Sequence, residues 1–376
     1  MQDDLPSRRR RWPYIALLVV IPVLAGAWGA AWYYAVGRAE AAIAGWRERE
    51  ANVGRIHSCG SQTIGRFPFR FQMRCAEPIL EIKTADRHLT FKGKDILITA
   101  NLWQPTRLDG EIVGPMTVAQ DGQPPAIVAT WQRAHTEMRG LPVSPERVTF
   151  VLDQPVVERP ENGQVQRLFG ATRVELGGRM LEGSALQNPV IELSVKLVAA
   201  LAPTLHAATE QPLDADIVAV LRGLKDFRPK PWQDRFREIQ AAGGKIDIAQ
   251  ARMKQGATIA TASGTLGLSR AGRLDGQLGL TVANLAAILP AFGLDGRAPQ
   301  SANAPVERAA GRLDRVSPAR GTAARQNVAP ALVAGLSFIG KPTEIEGHRA
   351  IALPLRFTDG AVALGPIPIG QTAPLF

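Results

Sequence analysis

The sequence has few of the residues on which most enzyme active sites depend. It contains two cysteines and five histidines in 376 residues. The histidines lie far apart, and none has a partner four residues away or a neighbouring aspartate suited to a catalytic triad. They are His57, His88, His135, His206 and His348. The chain also lacks a Gly-x-Ser-x-Gly motif and a Gly-Lys-Ser phosphate-binding loop. We therefore predict a protein that is not an enzyme, with no catalytic residues, no cofactor and no metal site.

A single long uncharged run occupies residues 14–36. As a helix it would be about 35 Å long, and the hydrocarbon core of a bilayer is about 30 Å thick. Tryptophans and tyrosines cluster at its two ends, as in membrane helices. The run therefore predicts a transmembrane anchor. The alternative is a cleaved signal peptide, whose apolar core is usually shorter, at about 7–15 residues.

The arginines around this run predict its orientation. Residues 8–11 are all arginine, whereas only Arg38 and Arg47 occur in the first turns after the run. The positive-inside rule then leaves the N-terminus in the cytoplasm and exports the rest of the chain. The net charge of +10 is scattered, which fits either attraction to anionic lipid or a basic soluble surface. We expect the membrane as a partner and no nucleic acid.

The two cysteines, Cys59 and Cys75, lie early in the exported part. In an oxidising compartment an isolated pair this close is most simply a disulfide. Closing such a loop stabilises a fold by about 3 kcal/mol. Free thiols are the alternative, since His57 and His88 do not supply a zinc spacing.

Most of the exported part has the pattern of β-strands. Within residues 67–75 Phe67, Phe69 and Phe71 recur at every second position, and from residue 70 onward the positions between the apolar ones are polar. This alternation predicts a half-buried strand. Similar runs recur up to residue 197, separated by Asp-Gly, Asn-Gly and Gly-Gly turns. Helical spacing over 213–224 and 231–242 precedes further strands. The predicted fold is α+β, dominated by antiparallel β-sheet in a long curved meander with packed helices, on an N-terminal transmembrane helix.

The predicted organisation has seven segments. They are a cytoplasmic basic tail (1–12), a transmembrane anchor (13–36), a helical stalk (37–53), a first sheet with a helical segment (54–243), a second sheet part (244–294), a flexible linker or insertion (295–328) and a C-terminal helix and hairpin (329–376). The linker has almost no large apolar residues and cannot bury much surface.

Several motifs resemble a known bacterial family. They are Gly-Arg-Phe-Pro-Phe-Arg at 65–70, the glycine- and leucine-rich hairpin at 264–280, and the ending Phe-Thr-Asp-Gly through Ile-Pro-Ile-Gly at 357–370. With the anchor, they make most of residues 13–370 similar to the family called domain of unknown function 2125. That resemblance brings no established activity.

The repeated Gly-x-Leu-x-Leu strands are also similar to AsmA-like envelope proteins. In those proteins a membrane helix carries a long curved sheet whose hollow face can hold lipid. The resemblance implies a single-pass protein of the bacterial inner membrane with most of its chain in the periplasm.

Apolar strand residues are the candidate site. They could line a lipid-holding groove or form a closed core between sheet and helix, and the sequence leaves both interpretations open. They are Phe67, Phe69, Phe71, Leu266, Leu268, Leu278, Leu280, Leu353, Leu355 and Phe357.

Three functional hypotheses follow. The first is a non-enzymatic, membrane-anchored envelope protein that shelters lipid acyl chains, in lipid handling or envelope maintenance. The second is a structural or assembly module that binds an envelope protein partner. The third, an unrecognised hydrolase, would require polar groups that cluster in a pocket.

Overall fold

The computed structural model describes residues 12–65, 67–83, 88–101, 103–120, 122–141, 144–161, 163–205, 207–228, 230–284 and 340–376. The described helices are α1 (Trp12–Ala51), α2 (Trp232–Ala241) and a short 3₁₀ helix (Ala207–Glu210). The basic tail through Arg11, the linker predicted at 295–328 and the helix predicted at the start of segment 329–376 lie outside the described residues.

Strands make up most of the described chain. They are β1 (Arg55–Gly65), β2 (Arg70–Lys83), β3 (His88–Lys92), β4 (Asp95–Asn101), β5 (Gln104–Val113), β6 (Met116–Gln120), β7 (Ile127–Thr130), β8 (Arg133–Arg139), β9 (Arg147–Asp153), β10 (Val156–Glu161), β11 (Gln164–Gly170), β12 (Arg173–Ser184), β13 (Gln187–Ala200), β14 (Leu213–Leu221), β15 (Lys245–Gln255), β16 (Thr258–Leu268), β17 (Leu274–Ala283), β18 (Lys341–Ile345), β19 (His348–Thr358), β20 (Ala361–Leu364) and β21 (Ile367–Gln371).

All 21 described strands belong to one antiparallel sheet. The main row of pairings runs β1, β2, β4, β5, β8, β9, β12, β13, β14, β15, β16, β17, β19, β20, β21. A side row starts from the second half of β2 and runs through β3, β6, β7, β10 and β11. The predicted fold class, an α+β fold dominated by antiparallel sheet, is confirmed.

Helix α1 contains both the predicted anchor and the predicted stalk. It is 40 residues long, with Pro22 inside it. Membrane helices tolerate an internal proline better than soluble helices do. By its length and composition the helix is long and apolar enough to cross a membrane. Near its end it lies against β1.

The helix predicted over 213–224 is wrong, because Leu213–Leu221 form β14 and the three residues after it are not helical. Leu213, Ala215 and Ile217 recur at every second position and point to one side of the sheet, as a strand requires. Ile217 is paired with Val195 of β13 on one side and Ala251 of β15 on the other. The strand therefore joins the parts of the sheet that precede and follow it. The helix predicted over 231–242 is confirmed as α2.

Helix α2 packs at the end of the sheet near the turn between β16 and β17. Its Ile239 is buried, and the Gln240 side chain donates a hydrogen bond to the Ser269 carbonyl. Arg237 lies over the ring of Phe376 at 5.5 Å. The helix belongs to the connection between β14 and β15, and it packs against this end of the sheet.

Candidate functional surface

The register of the main row gives the sheet two chemically different faces. Side chains directly opposite one another on paired strands point to the same side, so the pairings define each face. One face, here called the apolar face, is almost entirely apolar from β2 to β15. It comprises Phe71, Met73 and Cys75; Ala100, Ile98 and Ile96; Leu108, Gly110 and Ile112; Met138, Thr136 and Ala134; Val148, Phe150 and Leu152; Gly178, Leu176 and Val174; Leu193, Val195 and Leu197; Ala219, Ile217 and Ala215; and Ile248, Ala251 and Met253.

The opposite face, here called the polar face, carries a series of ion pairs. Arg74 pairs with Asp95 at 2.6 Å, and Arg179 pairs with Glu192 at 2.8 Å. Between them, Arg107 bridges Asp109 and Glu137, and Arg173 bridges Asp153 and Glu175. Charged pairs of this kind are compatible with water, so the polar face needs no covering layer.

The apolar face is open on its last four strands. Leu176, Leu193, Ile217 and Met253, on β12 to β15, are 41%, 40%, 36% and 37% exposed. These four residues are called the open section below. Leucine and isoleucine on the inner face of an ordinary antiparallel sheet would be covered by a second layer. The open section therefore presents apolar surface for which the sheet itself provides no packing.

Beyond β15 the same side of the sheet continues onto the C-terminal strands, where it closes into a core. Val282, Leu353 and Leu364 are 1%, 2% and 0% exposed, and they pack with Ala260 and Leu280. Ile367 and Ile369 of the last hairpin lie against this cluster. The face thus changes from a packed core at β16 to β21 into exposed apolar surface at β12 to β15.

The other end of the apolar face lies against α1. The indole Nε1 of Trp28 donates a hydrogen bond to the Pro68 carbonyl over 3.2 Å. The ring of Trp32 is 5.9 Å from that of Phe67 and 6.4 Å from that of Phe71. Because Phe71 belongs to the apolar face, this face begins beside Trp32. Trp32 lies in the uncharged part of α1.

A buried charge cluster fixes the junction where α1 ends and β1 begins. Glu50 is 9% exposed and accepts two hydrogen bonds from Arg55, the shorter being 2.5 Å. These bonds hold the pKa of Glu50 below its usual value, although burial acts in the opposite direction. His57 packs on Trp46 at 4.5 Å, and its burial lowers the pKa of the imidazole. At neutral pH the cluster therefore contains a carboxylate and a neutral histidine.

The predicted disulfide between Cys59 and Cys75 is present. It joins the neighbouring strands β1 and β2, with the two Cα atoms 5.5 Å apart. This separation lies within the usual range for disulfides. The bond and the charge cluster together tie the end of α1 to the first two strands.

A shallow depression on the polar face brings several titratable side chains together. Asp109, Glu111, Arg133 and His135 line it. The carboxylate of Asp109 already accepts two hydrogen bonds from Arg107. Among the described residues, no group of three or more His, Cys, Asp or Glu side chains is placed to hold a metal ion.

The family comparison matches residues 32–373 to a model described as "Uncharacterized protein conserved in bacteria", domain of unknown function 2125. The chain belongs to this family. No curated protein matches it. In this member of the family, the matched region begins at Trp32, where α1 meets the first hairpin, and it includes all the strands that the structure describes.

The predicted candidate residues fall into three places. Leu266, Leu278, Leu280 and Leu353 are buried, and Leu268, Leu355 and Phe357 are half-buried, all toward the C-terminal core. Phe71 is half-buried at the end of the face that lies against α1.

Phe67 and Phe69 do not lie on a strand face as predicted. They are in the turn before β2, are 55% and 56% exposed, and Pro68 between them has no N–H for a strand ladder.

Sequence reasoning missed the open section. Its residues were within segments predicted as strands or, for Ile217, as helix. Alternation such as Leu193, Val195 and Leu197 could have assigned them to one face of their strand. Their common surface depends on the register between strands, and their exposure depends on what packs over them.

Proposed function

We propose that this protein is a non-enzymatic envelope protein that holds lipid acyl chains on the apolar face of its sheet, in lipid handling or envelope maintenance. In this proposal α1 spans the bacterial inner membrane once, with the N-terminus in the cytoplasm and the sheet in the periplasm. The four arginines at residues 8–11 support that orientation.

The observation that carries the proposal is the open section together with the polar face behind it. At about 4.8 Å per strand, the apolar face measures about 38 Å from β2 to β15. An acyl chain spans half of the bilayer core, about 15 Å. The face is therefore long enough for lipid tails. Lipid that covers the exposed leucine and isoleucine side chains would remove their apolar surface from water, which is favourable by about 25 cal/mol per Å². The start of the face beside Trp32 would give lipid a route from the membrane.

Two positions on β13 provide a matched test. Leu193 is on the apolar face and Lys196 is on the polar face, and both are exposed. A photoreactive amino acid is placed at one or the other position of the full chain in living cells. After illumination and purification, the mass of the protein shows what has been attached.

A phospholipid adduct at Leu193 and none at Lys196 is the expected result. Equal lipid adducts at both positions would indicate non-specific contact and would refute the proposal. No lipid adduct at either position would also refute it, provided that both variants retain the disulfide.

A protein partner is the second candidate, supported by the outer edge of β11. Within the described residues β11 pairs with β10, and only Gly170 at its end bridges to Leu201. Val165 of this strand is 62% exposed. An edge of this kind can accept a strand from another chain. A protein adduct captured from a photoreactive group at Val165, with no lipid at Leu193, would favour this candidate.

A further inference from the structure

Two turns of the sheet carry exposed aromatic rings beside the membrane helix. Phe67 and Phe69 lie in the turn between β1 and β2, and Trp103 lies in the turn between β4 and β5. The rings of Phe69 and Trp103 stack with centroids 6.3 Å apart and planes inclined by 20°. The two turns therefore form one aromatic surface, here called the aromatic tip.

Contacts with α1 fix the height of the aromatic tip along the helix. Trp28 is hydrogen-bonded to Pro68, and Trp32 packs against Phe67. The helix rises about 27 Å between Tyr14 and Trp32, which is close to the bilayer core thickness of about 30 Å. If Tyr14 lies at the cytoplasmic boundary, Trp32 lies at the opposite boundary and the aromatic tip lies beside it.

The exposure of these rings is hard to explain in water. Phe67, Phe69 and Trp103 are 55%, 56% and 80% exposed, and Tyr33 and Tyr34 on the neighbouring helix turn are 78% and 71% exposed. Contiguous exposed apolar surface marks an interaction site. Aromatic side chains are enriched at the level of lipid headgroups, where a ring can bury its apolar body and leave any polar atom wet.

A basic group lies at the base of the two turns. The Arg70 side chain is exposed, and its Nε donates a hydrogen bond to Asn101 Oδ1 over 3.2 Å, which links β2 to β4. A positive charge at this height is attracted to anionic headgroups. The surroundings of the aromatic tip thus match the membrane surface in both polarity and charge.

We propose that the aromatic tip is a second membrane contact, in which Phe67, Phe69 and Trp103 insert at the headgroup level of the leaflet that faces the sheet. Together with α1 it holds the sheet at a fixed height, so that the apolar face begins at the lipid surface. The inference rests on α1 spanning a membrane and does not require lipid on the open section.

Single nitroxide labels can measure the depth of the aromatic tip. Both native cysteines are engaged in the disulfide, so a third cysteine is labelled selectively. The variants are Phe69→Cys and Trp103→Cys. Leu186→Cys is the control, because Leu186 is 70% exposed in the turn between β12 and β13. The full chain is reconstituted in vesicles of phosphatidylethanolamine and phosphatidylglycerol.

Electron paramagnetic resonance then compares collisions of each label with oxygen, which concentrates in the bilayer, and with a water-soluble nickel chelate. We expect the ratio of oxygen to nickel collisions to be several-fold higher at both tip positions than at position 186. A ratio at either tip position equal to that at 186 would overturn the proposal. A high ratio at the tip without a lipid adduct at Leu193 would uphold this contact while refuting the proposed lipid-holding function.

Discussion

The guanidinium of Arg47 on α1 donates a hydrogen bond to the Sγ of Cys59 on β1 over 3.3 Å. The same nitrogen, Nη2, is 2.6 Å from Oε1 of Gln62. Cys59 is bonded in turn to Cys75 on β2. The end of α1, β1 and β2 are thus held together by one covalent bond and a small set of polar contacts.

Removing the disulfide should destabilise the sheet. In a Cys59→Ser, Cys75→Ser double variant we expect a loss of about 3 kcal/mol in the free energy of unfolding, because the unfolded chain regains the entropy of an open loop. Urea unfolding in detergent micelles measures it, with exposed Ser61→Ala as the control. An unchanged unfolding midpoint, or complete alkylation of both native thiols without reductant, would contradict this prediction.

The buried carboxylate at the junction should make stability depend on pH. A Glu50→Gln variant loses the charge that Arg55 binds, and we expect a cost of about 1–3 kcal/mol at pH 7. The pKa of Glu50 is lower in the folded protein than in the unfolded chain. The stabilisation is therefore fully present above the pKa that Glu50 has in the unfolded chain, and it is lost as pH falls through the lower pKa that Glu50 has in the folded protein. The difference between wild type and variant should therefore shrink in acid.

The control for this prediction is Glu48→Gln, because Glu48 is exposed on the same helix. The test measures the urea unfolding midpoints of wild type, Glu50→Gln and Glu48→Gln from pH 7 down to a pH below the lowered pKa of Glu50. A difference between wild type and Glu50→Gln that is the same at every pH would show that the carboxylate charge is not the source.

Local patterns explain why much of the fold could be predicted. Alternating side chains identify many of the antiparallel strands, but the Asp109-Gly110 and Gly177-Gly178 pairs, predicted as turns, lie inside β5 and β12. The short spacing of Cys59 and Cys75 identifies a disulfide without any knowledge of the sheet. The pattern over β14 misled the prediction because Leu213, Ile217 and Leu221 are four residues apart, which also fits one face of a helix. Only its neighbours, β13 and β15, decide between helix and strand.

The candidate surface was harder to predict because it depends on long-range packing. Leu353 and Leu193 are both apolar residues of alternating strands, yet they are 2% and 40% exposed. The difference comes from the last hairpin, which packs near Leu353. No property of either residue's own strand determines this, so groove and core could not be separated from the sequence.

A second charged cluster should control the local stability of α2. Glu238 accepts hydrogen bonds from the Lys225 amide at 2.7 Å, from Arg235 at 3.0 Å and from Lys230. In Glu238→Gln, Lys230 and Arg235 lose one of the two carboxylates that they share and keep only Asp226, so we expect faster amide hydrogen exchange in α2 and residues 225–230. The matched variant Asp234→Asn alters an exposed pair with Arg237 and should leave exchange unchanged. Equal exchange in the two variants would contradict the prediction.

The contrast between the packed and open parts of the apolar face gives the last prediction. Leu353→Ala removes a side chain from a closed cluster, so we expect a loss of about 2–5 kcal/mol in the free energy of unfolding. Leu193→Ala removes the same atoms from an exposed site and should cost less than about 1 kcal/mol. Urea unfolding of both variants in lipid-free micelles measures the difference. Similar large losses would mean that Leu193 is packed in the folded protein, and the open section would then be unavailable to any ligand.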